Sequence, residues 1–349
     1  MSRTTPPRPL DVTALFPRLA PLARTATRLH PRPGSPSPHD SSVGGPLLWP
    51  ADEPWPHCPF PHTWDQVLAS NPLDGVREDR GIPTSGPQRD SDADEDAEED
   101  EEWPLDDIVG ADQPWPGGPI PLLPVAQLYA RDVPLLRPPG REQADLLQVL
   151  WCPFDHPDEE KYHPGTALVW RTAATVTDLL GTPPEPPAVE FSGYLPQPCL
   201  LAPEEVTEYP AFMELSKELQ EQLADWSRWQ AAGSTVDSSY ATAPQSYYTS
   251  NLSTAPGWKS GGWSRWGLTD PVPRVCSVCG TEMEPLLTIA STEWDGDNQS
   301  WVPVGDQARD PLPPGILPGS YTRVDIAGGC LQLHVCPVSS DHPHIELVQ

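Results

Sequence analysis

Residues 146–153 read Leu-Leu-Gln-Val-Leu-Trp-Cys-Pro, and residues 330–337 read Cys-Leu-Gln-Leu-His-Val-Cys-Pro. Both stretches are short, rich in aliphatic residues and closed by Cys-Pro. Because proline has no N–H to donate to a neighbouring strand, each Cys-Pro pair marks the end of a β-strand. One strand pattern in both halves of the chain predicts an internal repeat.

Three further segments recur upstream of these strands in the same order. The shared series is Gly-Gly-x-x-x-Trp, Cys, Pro-Leu-Leu and Leu-Gln-x-x-x-Cys-Pro. Its members begin at residues 44, 58, 121 and 147 in the first half, and at residues 261, 276, 285 and 331 in the second. Four ordered matches indicate two copies of one structural unit.

The repeat defines the predicted fold class, which is α+β. We expect two copies of one small antiparallel-sheet-plus-helix unit, related by internal duplication and joined by long Pro-rich loops, since the chain holds 50 prolines. The predicted copies span residues 1–200 and 201–349. Apolar residues at helical spacing predict one helix in each copy. They are Leu15, Leu19, Leu22, Ala26 and Leu29 in the first copy, and Phe212, Leu215, Leu219, Leu223 and Trp226 in the second.

A long insert, at about residues 66–118, interrupts the first copy. Residues 90–107 contain twelve acidic side chains and no basic one, so they contribute −12 to the formal net charge of −29. A block of like charges repels itself and buries nothing, which predicts a disordered, solvated spacer. The alternative is an acidic segment that attracts a basic partner protein.

Composition limits the function. The 349 residues include 50 acidic and 21 basic side chains, which argues against nucleic-acid binding because phosphate contacts depend on clustered Lys and Arg. No run of residues reaches the about 18 apolar positions that a membrane span needs. Seven cysteines without a signal peptide favour a reduced cytosolic protein with metal-bound or core cysteines.

The clearest chemical signal is Cys276-Ser-Val-Cys279-Gly280, which has the spacing of a zinc knuckle. The other ligands are expected from a second strand end, where Cys336 is followed by His342 and His344. Thiolate and imidazole ligands favour zinc over hard cations. The predicted structural zinc site is Cys276, Cys279, Cys336 and His342; a redox pair or two core thiols are the alternatives.

A second set of residues predicts another metal site in the first copy. Cys58-x-x-x-His62 and Cys152-x-x-x-His156 both begin at cysteines that match Cys276 and Cys336 in the repeat. Two Cys-x₃-His pairs at two strand ends can close a Cys₂His₂ site. The alternative is four inert side chains beside Pro-rich turns.

The 14 tryptophans include several in predicted loops. Indoles in loops are hard to bury fully and are enriched at binding surfaces. The symmetry of the repeat predicts a partner-binding groove between the copies, lined by Trp49, Trp263 and Trp266.

The motifs of both halves resemble the YwqG-like (DUF1963) family of bacterial proteins. The segment from Cys276 to Cys336 is also similar to the programmed-cell-death-protein-2 family of zinc-knuckle proteins. The first resemblance implies a duplicated α+β fold without an established activity. The second implies a dedicated chaperone or adaptor that escorts a newly made ribosomal protein.

Three function classes follow. The first is a cytosolic, non-catalytic adaptor or dedicated chaperone that binds a protein partner, with its acidic surface turned to a basic client. The second is a metal-dependent hydrolase with its site in the groove between the copies, which requires an open metal position. The third is a structural or immunity-type protein that recognises one partner through loop aromatics.

Overall fold

The computed structural model describes residues 4–83, 113–156, 162–307 and 319–349, so the acidic block at 90–107 lies outside the described residues. The α-helices in these ranges are α1 (Val12–Leu15), α2 (Trp64–Leu68), α3 (Leu73–Arg80), α4 (Lys217–Ala224), α5 (Trp226–Trp229) and α6 (Pro244–Asn251). Short 3₁₀ helices span Pro17–Leu22, Ala173–Thr175, Ser192–Tyr194, Phe212–Glu214, Gln230–Thr235, Ser238–Thr242, Gln299–Trp301 and Val304–Asp306. No helix in the described ranges has the length and apolar character needed to cross a membrane.

Most strands belong to two six-stranded antiparallel sheets. The first sheet has the order β2 (Arg32–Pro33), β9 (Cys199–Leu200), β3 (Ser42–Val43), β5 (Leu123–Tyr129), β6 (Leu146–Trp151) and β7 (Thr166–Arg171). The second has the order β10 (Glu204–Glu208), β1 (Arg24–Arg28), β11 (Lys259–Gly261), β12 (Glu284–Ala290), β13 (Cys330–Val335) and β14 (Ile345–Val348). A small pair joins β4 (Asn71–Pro72) to β8 (Ala188–Val189). The α+β class is confirmed.

The two sheets share one hydrophobic core. Fully buried side chains from both sheets, among them Val125, Val149, Ile289 and Leu333, form a single cluster. Antiparallel strands with alternating apolar residues bury one face in this way. Because the same cluster draws on both halves of the chain, the predicted copies fold against each other.

The predicted helix over residues 15–29 is wrong in its second half. The chain ends α1 at Leu15, turns through a 3₁₀ helix, and then extends into β1, where Ala26 pairs with Val206 and Gly261. Pro17 and Pro21 cannot donate the backbone hydrogen bonds of a continuous α-helix, which explains the break. This strand from the first predicted copy is an inner strand of the second sheet.

The predicted helix over residues 212–226 is present as separate pieces. Leu219 and Leu223 are buried on α4, and they pack in a helical cluster with Phe16 and Trp229. Asp225 ends α4 and caps α5, since its carboxylate accepts a hydrogen bond from the Ser227 N–H (3.0 Å).

The start and the end of the predicted insert are folded. Thr63 caps α2, and Val67, Leu73 and Val76 are buried on α2 and α3. At the far end, the Trp115 N–H donates to the His62 carbonyl (2.7 Å). The prediction that disorder begins at residue 66 is therefore wrong, because apolar side chains fix these flanks to the core.

The two sheets repeat one arrangement of strands. The series β3-β5-β6-β7 and β11-β12-β13-β14 have the same order and pairing, and the second strand of each carries a register shift after a proline. That proline is Pro124 in the first sheet and Pro285 in the second. The sequence comparison matched Pro285 with Pro121 instead, which is three residues away from the structurally equivalent Pro124. A common origin by duplication stays a prediction.

Two buried glutamines explain why Leu-Gln and Gly-Gly-x-x-x-Trp recur together. Gln148 Nε2 donates to the carbonyl of Leu48 (3.0 Å), and Gln332 Nε2 donates to the carbonyl of Arg265 (2.7 Å). Leu48 and Arg265 each directly precede the tryptophan of the motif. In the second sheet, Gln332 Oε1 also accepts the Arg265 N–H (3.1 Å). Each glutamine therefore anchors the loop that follows the glycine pair.

Replacing this anchor should destabilise the fold. Gln332→Ala leaves the N–H and the carbonyl of Arg265 without their partner in a buried setting, and we expect a loss of about 2 kcal/mol in the free energy of unfolding. Urea unfolding of the metal-loaded protein measures it. Gln143→Ala, at an exposed position, is the control and should change little. Equal stability of the two variants would contradict the anchoring role.

Candidate metal centres

The first centre consists of Cys58, His62, Cys152 and His156, which are all buried. Their ligand atoms lie within 4.8 Å of one another. Cys58 Sγ is 3.4 Å from His156 Nε2, and Cys152 Sγ is 3.6 Å from His62 Nε2. The structure therefore assembles the four residues that the sequence predicts for this site into one cluster that can hold a metal ion.

Backbone pairing positions the two cysteines of the first centre. The Cys58 N–H donates to the carbonyl of Ile120 (2.8 Å), just before β5. Cys152 directly follows β6, and its N–H donates to the carbonyl of Gly165 (2.8 Å), just before β7. Both thiols thus lie at the same end of the first sheet, where neighbouring antiparallel strands begin and end.

A hydrogen bond from the opposite ring nitrogen orients His62. Its Nδ1 lies 3.0 Å from Gln66 Oε1, and Gln66 Nε2 donates to the carbonyl of Asp155 (2.9 Å). Because Gln66 Oε1 can only accept, Nδ1 carries the proton. The lone pair of Nε2 then points at the cluster, as expected for a metal-binding histidine.

The pKa values of the two thiols of the first centre are shifted in opposite directions. A hydrogen bond from the Cys152 thiol lowers the pKa of Cys58 to about 3. Burial, followed by the hydrogen bond to Cys58, raises the pKa of Cys152. A bound cation would favour the deprotonated form of both thiols.

The second centre consists of Cys276, Cys279, Cys336 and His342, whose ligand atoms also lie within 4.8 Å of one another. His342 Nδ1 is 3.4 Å from Cys276 Sγ and 3.3 Å from Cys336 Sγ, and the Sγ atoms of Cys279 and Cys336 are 3.5 Å apart. His342, rather than His344, completes this cluster.

A tight turn brings the first two cysteines of the second centre together. The Gly280 N–H donates to the carbonyl of Cys276 (2.9 Å), and Gly280 has φ +72°. An L-residue with a side chain is strained in this conformation, so glycine suits the position. The Cys276 N–H closes the turn on the carbonyl of Thr281 (2.9 Å).

The two centres use the same cysteine positions in their respective sheets. Cys58 and Cys276 each follow a residue that forms an isolated β-bridge just before the next hairpin. His57 pairs with Pro121, and Val275 pairs with Glu282. Cys152 and Cys336 each directly follow the equivalent strands β6 and β13. The other two residues of each centre differ in type and spacing. They are His62 and His156 in the first centre, and Cys279 and His342 in the second.

The centres also differ in exposure. Cys279 is exposed and His342 is half-buried, whereas the whole first centre is buried. Thr166 connects the surroundings of the two centres. Thr166, next to the Gly165 carbonyl that accepts the Cys152 N–H, has its Oγ1 2.7 Å from His344 Nε2 and 2.6 Å from Glu346 Oε1. The loop after His342 therefore contacts the strand beside the first centre.

The predicted tryptophan groove is wrong. Trp49 and Trp266 are 2% and 6% exposed, so neither ring presents a surface to a partner. Trp263 is half-buried: Arg24 stacks on its ring at 3.7 Å, and its Nε1 donates to the carbonyl of Leu22 (3.0 Å). The indoles fill space around the anchored loops instead.

Sequence reasoning missed a buried ionic cluster in the second sheet. Lys259 Nζ lies 2.7 Å from both carboxylate oxygens of Glu208, and both side chains are almost fully buried. His30, two residues after β1, is buried between Glu204 and Glu293, at 3.1 and 3.8 Å, and burial lowers its pKa to about 4. The only signal in the sequence was that Lys259 lies two residues before the second Gly-Gly motif.

The chain is thus an α+β protein with two four-ligand Cys/His centres at equivalent strand ends. No protein-family model matches it, and no curated protein is significantly similar to it. The resemblances to the YwqG-like and programmed-cell-death-protein-2 families stay predictions.

Gln66 provides a test of the first centre. Gln66→Leu removes the hydrogen bond to His62 Nδ1, and we expect the metal affinity of this centre to fall at least about tenfold. The measurement is a titration with Co²⁺, whose visible absorption reports binding. It is made in a Cys276→Ser/Cys279→Ser background, so that the first centre alone contributes. Gln222→Leu, on α4, is the control. Unchanged affinity in Gln66→Leu would show that His62 is not oriented in this way.

Proposed function

We propose that this protein is a cytosolic, non-catalytic adaptor or dedicated chaperone that holds two structural zinc ions and binds a basic protein partner. The observation that carries the proposal is the pair of four-ligand Cys/His clusters at equivalent strand ends. The resemblance to zinc-knuckle proteins that escort a client supports the same function.

The ligand chemistry favours zinc. Bonds of about 2.3 Å to sulfur and about 2.0–2.1 Å to nitrogen, at tetrahedral angles, separate the ligand atoms by about 3.3–3.8 Å. Five pairs of candidate ligand atoms in the two clusters are 3.3–3.6 Å apart, which agrees with these separations. Two or three thiolates with one or two imidazoles select zinc rather than magnesium or calcium.

The number of ligands favours a structural role over catalysis. A catalytic zinc keeps one coordination position open for water or substrate, whereas a structural zinc has four protein ligands. Each cluster already offers four protein atoms. The hydrolase hypothesis therefore gains no support from either centre, and the adaptor is the better fit.

Charge supports a basic partner. With a formal net charge of −29, the chain attracts cationic surfaces over a distance set by the salt concentration. The same charge disfavours binding to nucleic acid, whose phosphates it would repel.

Metal analysis tests the structural part of the proposal. We expect two zinc ions per chain in the wild type and one in each of Cys58→Ser/Cys152→Ser and Cys276→Ser/Cys279→Ser, because each pair removes two of four ligands. Elemental analysis of purified protein gives the ratio. Cys199→Ser, outside both clusters, is the control and should keep two. A wild type without metal would overturn the zinc proposal.

Affinity purification followed by reconstitution tests the adaptor role. We expect a basic protein to co-purify with the wild type, and its purified form to bind with an affinity that falls as salt rises. Titration of the two purified proteins between 50 and 500 mM NaCl measures the slope. Neither Cys58→Ser/Cys152→Ser nor Cys276→Ser/Cys279→Ser should bind this partner as tightly as the wild type does. A partner without basic character, or binding that ignores salt, would contradict the proposal.

A further inference from the structure

Three exposed valines surround the second centre. Val275 and Val278 directly precede Cys276 and Cys279, and Val338 lies two residues after Cys336. Their exposed fractions are 48%, 62% and 58%. Single exposed apolar residues are ordinary on a protein surface, but here three of them flank the cysteines of one cluster. We call these three residues the valine patch.

The first centre has no equivalent patch in its flanking residues. Phe154, two residues after Cys152, is fully buried. Phe60, two residues after Cys58, packs its ring against His156 at 4.7 Å. The cysteines occupy equivalent positions in the two sheets, yet apolar neighbours turn inward at one centre and outward at the other. The outward valines are therefore a property of the second centre rather than of the shared architecture.

Acidic side chains flank the valine patch. Glu282 bridges to Val275 across the turn and is 79% exposed, and Asp341, next to His342, is 67% exposed. Glu284 is also exposed. Residues 270–284 and 336–346 together contain five acidic residues and one arginine, Arg274. Arg274 pairs with Glu214 (3.2 Å) and Glu282 (3.6 Å), and Arg141, from another part of the chain, pairs with Asp341, so acidic side chains still outnumber basic ones here. The surroundings of the patch are thus negative.

This charge distribution selects the occupant. A second copy of the chain would bring the same acidic flanks and its own net charge of −29, so self-association is opposed by repulsion. A segment of another protein that combines basic and apolar side chains satisfies both features, since its apolar groups cover the valines and its Lys or Arg face the carboxylates.

We propose that the valine patch is the docking surface for a segment with interspersed basic and apolar residues in a partner protein. This inference rests on the proposed function and assigns the adaptor's contact to the second centre. A bound metal would help to set the shape of the surface, because two of its candidate ligands, Cys276 and Cys279, lie on one loop, and the other two, Cys336 and His342, lie on the other. Removing the metal should therefore weaken docking although no valine is a ligand.

A labelled peptide of twelve residues with alternating Lys and Leu is the probe, and fluorescence anisotropy measures its affinity for the full chain. We expect Val278→Ser/Val338→Ser to bind about tenfold more weakly than the wild type, because it loses apolar contact and keeps the charge. Val304→Ser, at a similarly exposed valine (56%) in the 3₁₀ helix Val304–Asp306, is the matched control and should bind normally. A Lys/Ser peptide should bind weakly to all three proteins.

Zinc content separates this inference from the proposed function. Val278→Ser/Val338→Ser should retain two zinc ions, so weaker binding in that variant reports the surface and not the fold. Equal peptide affinity of this variant and Val304→Ser overturns the docking surface, even where zinc is present as proposed. Tight binding of a Glu/Leu peptide overturns the basic character of the segment. A wild-type dimer that Val278→Ser/Val338→Ser abolishes identifies the patch as a self-interface and also overturns the inference.

Discussion

Antiparallel pairing of the hairpin strands is the constraint on which the rest of the structure depends. When β13 pairs with β12, its last residue, Val335, lies opposite Glu284 at the start of β12, so Cys336 emerges beside the turn that holds Cys276. The same pairing of Trp151 with Leu123 brings Cys152 to Cys58 in the first sheet. Residues about 60–95 positions apart in the chain thereby meet within bonding range of one ion. The metal ligands need no special scaffold, because the sheet end already positions half of them.

The end of the second sheet has little core of its own, which is a physical reason for a metal there. Among the described residues, the buried cluster at the second centre contains Cys276, Met283 and Cys336, with Ile345 packed against it. Such a small apolar group cannot offset the conformational entropy of two ordered loops. The proposed tetrahedral ion would supply the missing stability, since its binding free energy would add directly to that of folding. The first centre instead lies among Trp49, Trp55 and Phe154, so its loops also have apolar support.

The sequence was most informative where local chemistry and position in a strand coincide. A cysteine before a proline at a strand end lies beside the start of the paired strand, and this is why the sequence could predict which residues form the two clusters. The burial of Trp49 and Trp266 could not be predicted, because it depends on the contacts from Gln148 and Gln332 that fix the preceding loops. The position of β1 between β10 and β11 could not be predicted either. Leu15, Leu19 and Leu22 follow a 3.6-residue period, which predicts a helix, although the chain changes to a strand after Pro21.

The difference in exposure between the centres has a physical meaning for the proposed adaptor. An ion bound at a fully buried centre could leave only if the surrounding core opened, so we expect its exchange to be slow. At the second centre, solvent reaches Cys279, and the loop that carries His342 also contacts Thr166 through His344 and Glu346. Partner binding over the valine patch would cover this thiol and hold that loop in place. By linkage, a partner that prefers the metal-bound loop must also raise its metal affinity by the same factor. Docking and zinc retention at the second centre are then two measurements of one coupling.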